Sequence, residues 1–371
     1  MRTPMTRFSR RQFVQVVCAG AATGLAFAQS PAGAEFTLEA TAAKSTVNWS
    51  SRAIQLPPDD GQLRPPVVTA VRLHRGGQML ATAGDDHLVR VWNLADGKRL
   101  QRLDGHGDWV RAIDYSPEGK WLASAGNDRR ILIWDALTGT LSRELAKQDQ
   151  AIAGIRFSHD GAHLATVGFS GTVRMYDVAE GDLVLERAAP CQDMRSVAFS
   201  PDDAVFACGG RCGSIRLLST SQGAMLRDVA AHRQRIRAIA FSPDGEFLAS
   251  AGEDRLVHIV PTANEASSYS LPVRPCKVMT LVFYGPHLLA TAGSDNQIRL
   301  WDVAQKNEIG ILSGHTGSVA ALDCQGSVLV SAGYDTTIRI WEIGDRIAGD
   351  DKSREKRVGS LPRVPGEPSV K

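Results

Sequence analysis

Several signatures of enzymes, nucleic-acid-binding proteins and membrane proteins are absent from this sequence of 371 residues. It contains no His-Glu-x-x-His motif, no glycine-rich phosphate loop after a strand and no paired carboxylates outside a repeating register. The 42 basic and 40 acidic side chains nearly cancel, which argues against a protein that coats nucleic acid. No apolar run is long enough for a comfortable membrane span. What remains is a globular chain with 43% hydrophobic residues.

The N-terminal residues account for the small positive surplus. Four arginines precede the first acidic residue, Glu35, and without residues 1–34 the chain has 38 basic against 40 acidic side chains. A weakly apolar run at residues 14–28 follows the arginines, and small residues follow the run, an order typical of an export signal. Residues 9–15, SRRQFVQ, resemble the twin-arginine export motif of bacteria.

This resemblance implies export of the folded protein to the periplasm or another extracytoplasmic compartment. Cleavage after Ala28 or after Ala34 fits the small residues there, and we expect the second, which makes residues 1–34 the signal peptide. A basic tail before a buried helix is the alternative interpretation. Removal of the signal would take Cys18 with it, leaving five cysteines in an oxidising compartment and no stable membrane span.

Seven repeats occupy the body of the chain. Each has three short runs separated by turns and then a fourth run, and one aligned position in the third run recurs at spacings of 42, 42, 42, 42, 41 and 40 residues. The aligned residues are Trp92, Trp134, Tyr176, Leu218, Val260, Trp301 and Trp341. Four strands in a period of about 40 to 45 residues are typical of a propeller blade, because one small sheet cannot bury both faces alone.

The repeats resemble the WD-repeat β-propeller family over residues 67–343. The resemblance implies an all-β fold, a seven-bladed β-propeller of four-stranded antiparallel blades, which we place at residues 67–347. The last repeat has only three strands of its own, so a strand at about residues 46–56, within the N-terminal segment 35–66, is expected to close the ring. Residues 348–371 have few apolar side chains and three prolines, and we expect a disordered, charged tail.

In this family a blade is often stabilised by a buried polar row: a His before the first strand, a Ser or Thr in the second, an Asp in the next turn and a Trp in the third. The row is complete in blade 2, with His106, Ser124, Asp128 and Trp134, and in blade 7, with His315, Ser331, Asp335 and Trp341. Blade 5 keeps His232, Ser250 and Asp254 but has Val260 for the aromatic residue. Because the His-Ser-Asp set recurs in a packing register, we interpret it as structural and not as a hydrolase triad.

Blade 4 has cysteines where this row would stand. Cys208 takes the Ser position and Cys212 the Asp position, while Cys191 lies within one residue of the His position. In an extended chain Cys208 and Cys212 would be about 10–13 Å apart, beyond the roughly 7 Å limit for the Cα separation of a disulfide. The sequence therefore predicts a disulfide from Cys191 to Cys208 or Cys212. Three buried free thiols are an equal alternative, and a zinc site would lack its fourth ligand.

For function, the family resemblance implies a non-enzymatic scaffold that binds a protein or peptide on the loop face of the ring, with no cofactor, no metal and no nucleic-acid partner. One alternative is a propeller enzyme, a hydrolase, lyase or cofactor-dependent dehydrogenase, with its site in the central channel. Another is a cell-wall or polysaccharide-binding module. The enzyme hypothesis requires acid, base or metal-ligand side chains that face the channel, and the inner strand positions lack His and Glu outside the repeat register.

Two positions of each blade fall on the rim of the loop face: the residue before the first strand and the residue before the turn Asp. At these positions stand side chains of the types that often anchor interfaces, namely Trp109, Phe169, Arg211, Arg235 and Tyr334. We expect these five, called the rim patch below, to bind the partner, with the basic segment at residues 232–237 suited to an acidic one. Alternatively, the aromatic rings wedge between blades and the arginines are merely solvated.

Overall fold

The computed structural model describes residues 36–39, 47–56, 64–263, 267–272 and 276–346. In this part the chain forms 29 β-strands in seven antiparallel sheets, which confirms the prediction of an all-β, seven-bladed propeller. No helix of these residues is long and apolar enough to span a membrane. The predicted signal peptide at 1–34 and the predicted tail at 348–371 lie outside the described residues.

Blades 1 to 6 each use four strands that are consecutive in the chain and in the sheet. Blades 1 to 3 contain β3 (Val68–Leu73), β4 (Met79–Gly84), β5 (Val89–Asn93) and β6 (Arg99–Leu103); β7 (Val110–Tyr115), β8 (Trp121–Gly126), β9 (Ile131–Asp135) and β10 (Leu141–Leu145); and β11 (Ile152–Phe157), β12 (His163–Gly168), β13 (Thr172–Asp177) and β14 (Leu183–Ala188). Blades 4 to 6 contain β15 (Met194–Phe199), β16 (Val205–Gly210), β17 (Ser214–Ser219) and β18 (Met225–Ala230); β19 (Ile236–Phe241), β20 (Phe247–Gly252), β21 (Leu256–Pro261) and β22 (Tyr269–Pro272); and β23 (Val278–Phe283), β24 (Leu288–Gly293), β25 (Gln297–Asp302) and β26 (Asn307–Ser313).

Blade 7 joins the two ends of the described chain. Its C-terminal strands are β27 (Val319–Gln325), β28 (Val328–Gly333) and β29 (Thr337–Arg346), and its N-terminal strands are β2 (Val47–Gln55) and β1 (Phe36–Glu39). The segment expected to close the ring therefore contains β2, which pairs antiparallel with β29. The fifth strand, β1, pairs with the outer edge of β2 and was not predicted. Its four residues are too few to show an alternating pattern.

The core lies between neighbouring blades. The second strand of each blade is buried on both faces, so it reads as a run of small and apolar residues such as MLATAG or WLASAG. Side chains of adjacent blades share buried clusters, and one such cluster contains Ile54 of β2, Ile338 of β29 and Val71 and Leu73 of blade 1. Because no sheet can bury both faces alone, this packing makes each blade depend on its neighbours.

A β-bulge opens the first strand of every blade, between its first and third residues. Such a bulge inserts one unpaired residue and redirects its side chain. The seven bulge residues, one per blade in chain order, are Thr69, Arg111, Ala153, Arg195, Arg237, Met279 and Ala320. All seven line one central cavity, so the first strands are innermost and surround the channel.

Candidate functional site

The polar row of blade 2 forms a continuous chain of buried hydrogen bonds. His106 Nε2 lies 2.8 Å from Ser124 Oγ, and His106 Nδ1 lies 2.8 Å from a carboxylate oxygen of Asp128. The indole N–H of Trp134 donates to the same Ser124 oxygen at 2.8 Å. Because Ser124 is fully buried and engaged with both neighbours, this arrangement stabilises packing and leaves no exposed nucleophile.

Blade 7 repeats this geometry. His315 Nε2 lies 2.6 Å from Ser331 Oγ and His315 Nδ1 lies 2.7 Å from Asp335, while Trp341 donates to Ser331 at 2.8 Å. Burial alone would raise the pKa of Asp335, but the hydrogen bond and charge of His315, with further hydrogen bonds from Thr337, lower it to about 2. The carboxylate is therefore held in its charged form inside the blade.

In blade 4 a disulfide replaces the contact between the histidine and the aspartate. The structure joins Cys191 to Cys212, with 6.1 Å between their Cα atoms and a sequence separation of 21, against 22 for His106 and Asp128. Cys208 remains a free thiol in the fully buried part of β16, where burial raises its pKa to about 12. For a loop of this size the crosslink stabilises the folded chain by about 3 kcal/mol.

The rim patch lies on the loop face, defined as the side of the ring that carries the turns after the second strands, including those after β8, β12, β16 and β28. Trp109 and Tyr334 are exposed, at 42% and 52% of their full accessible area. Arg211 is also exposed, and Phe169 is half-buried. The aromatic rings thus stay accessible and are not fully wedged between blades, as the alternative would require.

Arg235 differs from the expectation of a free surface arginine. Its guanidinium bonds Asp193 of blade 4 at 2.9 Å and Glu253 of its own blade at 3.1 Å. The reason is the repeat register, which places Asp193 at the position of Arg235 in the preceding blade. Arg235 therefore bridges two blades and offers less of its charge to a partner than the sequence suggested.

Three further arginines lie beside the rim patch: two were not predicted from the sequence, and the third was included only as the end of the basic segment 232–237. Arg111 contacts the Trp109 and Phe169 rings, with its guanidinium carbon 5.8 and 5.7 Å from the ring centroids, and Arg195 lies 4.5 Å from the Phe169 centroid. Arg237 is the third, and all three are bulge residues at the channel mouth of the loop face. The available signal was an arginine at the second position of the first strand in three of the seven repeats.

The charges of this mouth influence one another. Burial lowers the pKa of Arg111, and the positive charge of Arg237 lowers it further, while Asp108 and Tyr334 oppose the shift. Burial likewise lowers the pKa of Arg195; Asp193 raises it, and Arg237, Arg235 and Arg111 lower it again. Arg111, Arg195 and Arg237 therefore lie close enough for the charge of each to affect its neighbours.

The opposite mouth carries paired charges of both signs. Arg72 bonds Asp114 at 2.9 Å and lies 3.6 Å from Asp323, and Arg156 bonds Asp114 at 3.2 Å. Asp114 also accepts the backbone N–H of Phe157 in blade 3, and Asp323 that of Leu73 in blade 1. Burial raises the pKa of Asp114 to about 6 and that of Asp323 as well. Both carboxylates tie neighbouring blades together.

Among the described residues, one group of side chains brings potential metal-ligand atoms within 4.8 Å of one another: Asp244, Glu246 and His287. Both carboxylates are exposed, and Asp244 already accepts hydrogen bonds from the Ser242 hydroxyl and the Glu246 backbone in its own turn. These contacts account for the position of Asp244 without an ion.

The sequence matches a family model over most of its length. The model for the WD domain, G-beta repeat, matches seven times, at residues 60–93, 97–135, 139–177, 186–219, 223–260, 275–302 and 306–342. The chain belongs to the WD-repeat family. Complete matches such as 97–135 span the outer strand of one blade and the three inner strands of the next. The sequence repeat is therefore offset from the structural blade by one strand.

Curated relatives match over about one repeat each. The chain is 49% identical over 43 residues to the probable serine/threonine-protein kinase PkwA of Thermomonospora curvata, 12% of this chain and 6% of the relative. It is 42% identical over 41 residues to the nuclear distribution protein PAC1 of Mycosarcoma maydis, 11% and 9% of the two chains. It is 45% identical over 38 residues to the lissencephaly-1 homolog of Heterostelium pallidum, 10% and 9%. The matched part spans less than a tenth of each relative's length, so it carries the repeat alone.

Proposed function

We propose that this protein is an exported, non-enzymatic scaffold that binds a protein or peptide on the loop face of its propeller, around the mouth of the channel. WD-repeat propellers generally bind proteins. The observation that carries the proposal is the pair of exposed rings, Trp109 and Tyr334, which flank arginines at one mouth. Trp, Tyr and Arg dominate binding energy at interfaces because they bury a large area with little loss of entropy.

The polar side chains of the described residues support a scaffold and not an enzyme. The His-Ser-Asp rows are buried and hydrogen-bonded within blades 2, 5 and 7. At the opposite mouth the carboxylates of Asp114 and Asp323 accept backbone N–H groups of neighbouring blades. Groups engaged in this way stabilise the ring and are poorly placed to accept or donate a substrate proton.

The test is affinity capture from an extracytoplasmic extract of the source organism with the wild-type protein and with Trp109→Ala/Tyr334→Ala. Both side chains are exposed, so the variant should melt within a few degrees of the wild type while losing at least about tenfold in partner affinity, the effect of one or two interface anchors. Leu137→Ala is the matched control, because Leu137 is 74% exposed in a turn on the opposite face. Equal capture by wild type and double variant would contradict the proposal.

A further inference from the structure

The bulge residues of blades 2, 4 and 5 are arginines, whereas those of the other four blades are uncharged. Arg111, Arg195 and Arg237 thus line the loop-face end of the central cavity, which has a volume of about 130 Å³ and extends to Arg72 and Arg156. A buried water needs only about 10 to 15 Å³ of such space, so the cavity can admit a larger group. The bulges fix the three guanidinium groups on rigid strands and not on loops.

These arginines are incompletely neutralised by the protein itself. Among the described residues Arg111 forms no ion pair with a carboxylate, and its Nε donates to the neutral amide of Asn127. Within the described ranges Arg237 pairs with Glu253 alone, at 3.5 Å, and Glu253 is already shared with Arg235 at 3.1 Å. The mouth therefore keeps a surplus of positive charge.

Arg195 shares its counterion too. Asp193 contacts Arg195 at 2.6 Å through one carboxylate oxygen and Arg235 at 2.9 Å through the other. The Nε of Arg195 is buried and makes no hydrogen bond. An acceptor that enters the mouth and reaches this Nε would satisfy a donor that the fold leaves unpaired. Asp108, the remaining carboxylate beside Arg111, accepts the Trp109 backbone N–H.

Aromatic rings hold the guanidinium groups in place. Phe169 lies between Arg111 and Arg195, 5.7 and 4.5 Å from their guanidinium carbons, and Trp109 flanks Arg111. Rings at this distance attract the cation while leaving its N–H edge free to bind oxygen. At the opposite mouth Arg72 and Arg156 are instead bonded to Asp114. The uncompensated charge is thus confined to the loop face.

We infer that Arg111, Arg195 and Arg237 form an anion-binding site that receives a carboxylate or phosphate group of the bound partner. Guanidinium groups bind both kinds of oxyanion through paired, charge-assisted hydrogen bonds. The inference rests on the proposed function for its occupant, a protein or peptide, because the rings of Trp109 and Phe169 border the same mouth. An acidic side chain, a terminal carboxylate or a phosphorylated side chain supplies the required group.

Binding of two probes by isothermal titration calorimetry at low ionic strength tests the site: a tetraglutamate peptide, with tetraglutamine as its neutral counterpart, and inorganic phosphate. We expect the wild type to bind at least one anion and not tetraglutamine. Arg111→Gln/Arg237→Gln should bind that anion at least about tenfold more weakly, because each substitution removes a charge-assisted hydrogen bond to the anion. Tetraglutamate binding would identify a carboxylate as the ligand group, and phosphate binding alone a phosphate.

The matched control is Arg75→Gln/Arg187→Gln, which removes two exposed arginines away from the loop-face mouth. An equal loss in this control, or no loss in Arg111→Gln/Arg237→Gln, would overturn the site. If the double variant does not fold, the single variants Arg111→Gln and Arg237→Lys give the same comparison. If Arg111→Gln/Arg237→Gln loses anion binding while Trp109→Ala/Tyr334→Ala still captures the partner, the anion site stands and the proposed binding face is refuted. If Trp109→Ala/Tyr334→Ala loses the partner while the wild type binds neither tetraglutamate nor phosphate, the binding face stands and the anion site is refuted.

Discussion

The turn aspartate of the polar row is satisfied in different ways around the ring. Where the histidine is present, it bonds the aspartate. In blades 1 and 6, which lack it, Asp86 pairs with Arg90 and Asp295 pairs with Arg299, each four residues further on in the third strand. A buried carboxylate requires a partner, and the arginine supplies the charge that the missing imidazole would have provided.

In blade 3 the buried polar row contains uncharged side chains. Gln148 stands at the histidine position and its side-chain amide donates to Thr166 at 2.7 Å and to the Tyr176 hydroxyl at 3.3 Å. Ser170 replaces the aspartate, so no carboxylate has to be buried. The row is therefore conserved as a set of satisfied hydrogen bonds within this one chain and not as a fixed set of residues.

Asp335→Asn should reveal the stability that blade 7 gains from its charged row. The pKa of Asp335 is about 2 in the folded protein and near 3.9 in an unfolded chain, so its contribution is present above pH 4 and is lost as the pH falls toward 2. We expect the variant to lose about 2 kcal/mol of unfolding free energy at pH 7 and to show a shallower dependence between pH 4 and pH 2.

Urea denaturation at pH 2, 3, 4 and 7 measures this difference. Asp149→Asn is the control, because its side chain is 85% exposed and should change stability by less than about 0.5 kcal/mol. A variant with the same pH dependence as the wild type would show that Asp335 does not carry the charge assigned to it.

At the scale of elements, the ring depends on one strand that is remote in sequence from its sheet. Ile54 of β2 is fully buried, pairs with Ile338 of blade 7 and belongs to the same buried cluster as Val71 and Leu73 of blade 1. It therefore stabilises both the last blade and its contact with the first. A cavity at Ile54 would weaken the packing between blades 7 and 1 directly, because the buried cluster that spans both blades loses atoms.

Ile54→Ala should lower the unfolding free energy by about 2–5 kcal/mol, the usual range for truncating a fully buried aliphatic side chain. Thermal and urea denaturation followed by circular dichroism would measure it. The neighbouring Gln55→Ala is the control, because Gln55 is exposed and should matter little. Equal stability of the two variants would show that β2 contributes little to ring closure.

Repeat period and turn residues were sufficient to predict the seven blades, because each unit restates the same local pattern. The bulges were not predictable, because one extra residue shifts the side-chain alternation without any change in composition. The recurring arginine at the second position of three first strands was visible in the sequence, but the alternation did not show that Arg111 and Arg195 face the channel. The choice of Cys212 over Cys208 also needed the backbone path. The pairing of Arg235 with Asp193 joins residues 42 apart, which a local pattern does not reveal.

At the scale of the whole molecule, the N-terminal motif bears on the compartment in which we propose that the scaffold acts. Arg10 and Arg11 stand in the segment that resembles the twin-arginine signal, and that route carries proteins already folded. The disulfide of blade 4 fits an oxidising compartment. The proposed export and the disulfide of blade 4 are therefore compatible with each other.

Arg10→Lys/Arg11→Lys should leave the precursor in the cytoplasm, because the resemblance depends on that pair and lysine keeps only the charge. Cell fractionation followed by immunoblotting measures the partition. Arg2→Lys/Arg7→Lys makes the same chemical change outside the motif and should be exported normally. Unchanged periplasmic yield of the first variant would exclude this route.

The pairing of β2 with β29 in blade 7 also determines when the ring can close during synthesis of the chain. Ile54 pairs with Ile338, 284 residues later, so the partner of β2 is synthesised roughly 15 to 60 s after it at about 5–20 residues per second. Hairpins within a blade form in microseconds and do not limit the process. Until β29 emerges from the ribosome, β2 lacks the strand with which it pairs in blade 7. The ring therefore cannot close before β29 has been synthesised, however fast the hairpins within each blade form.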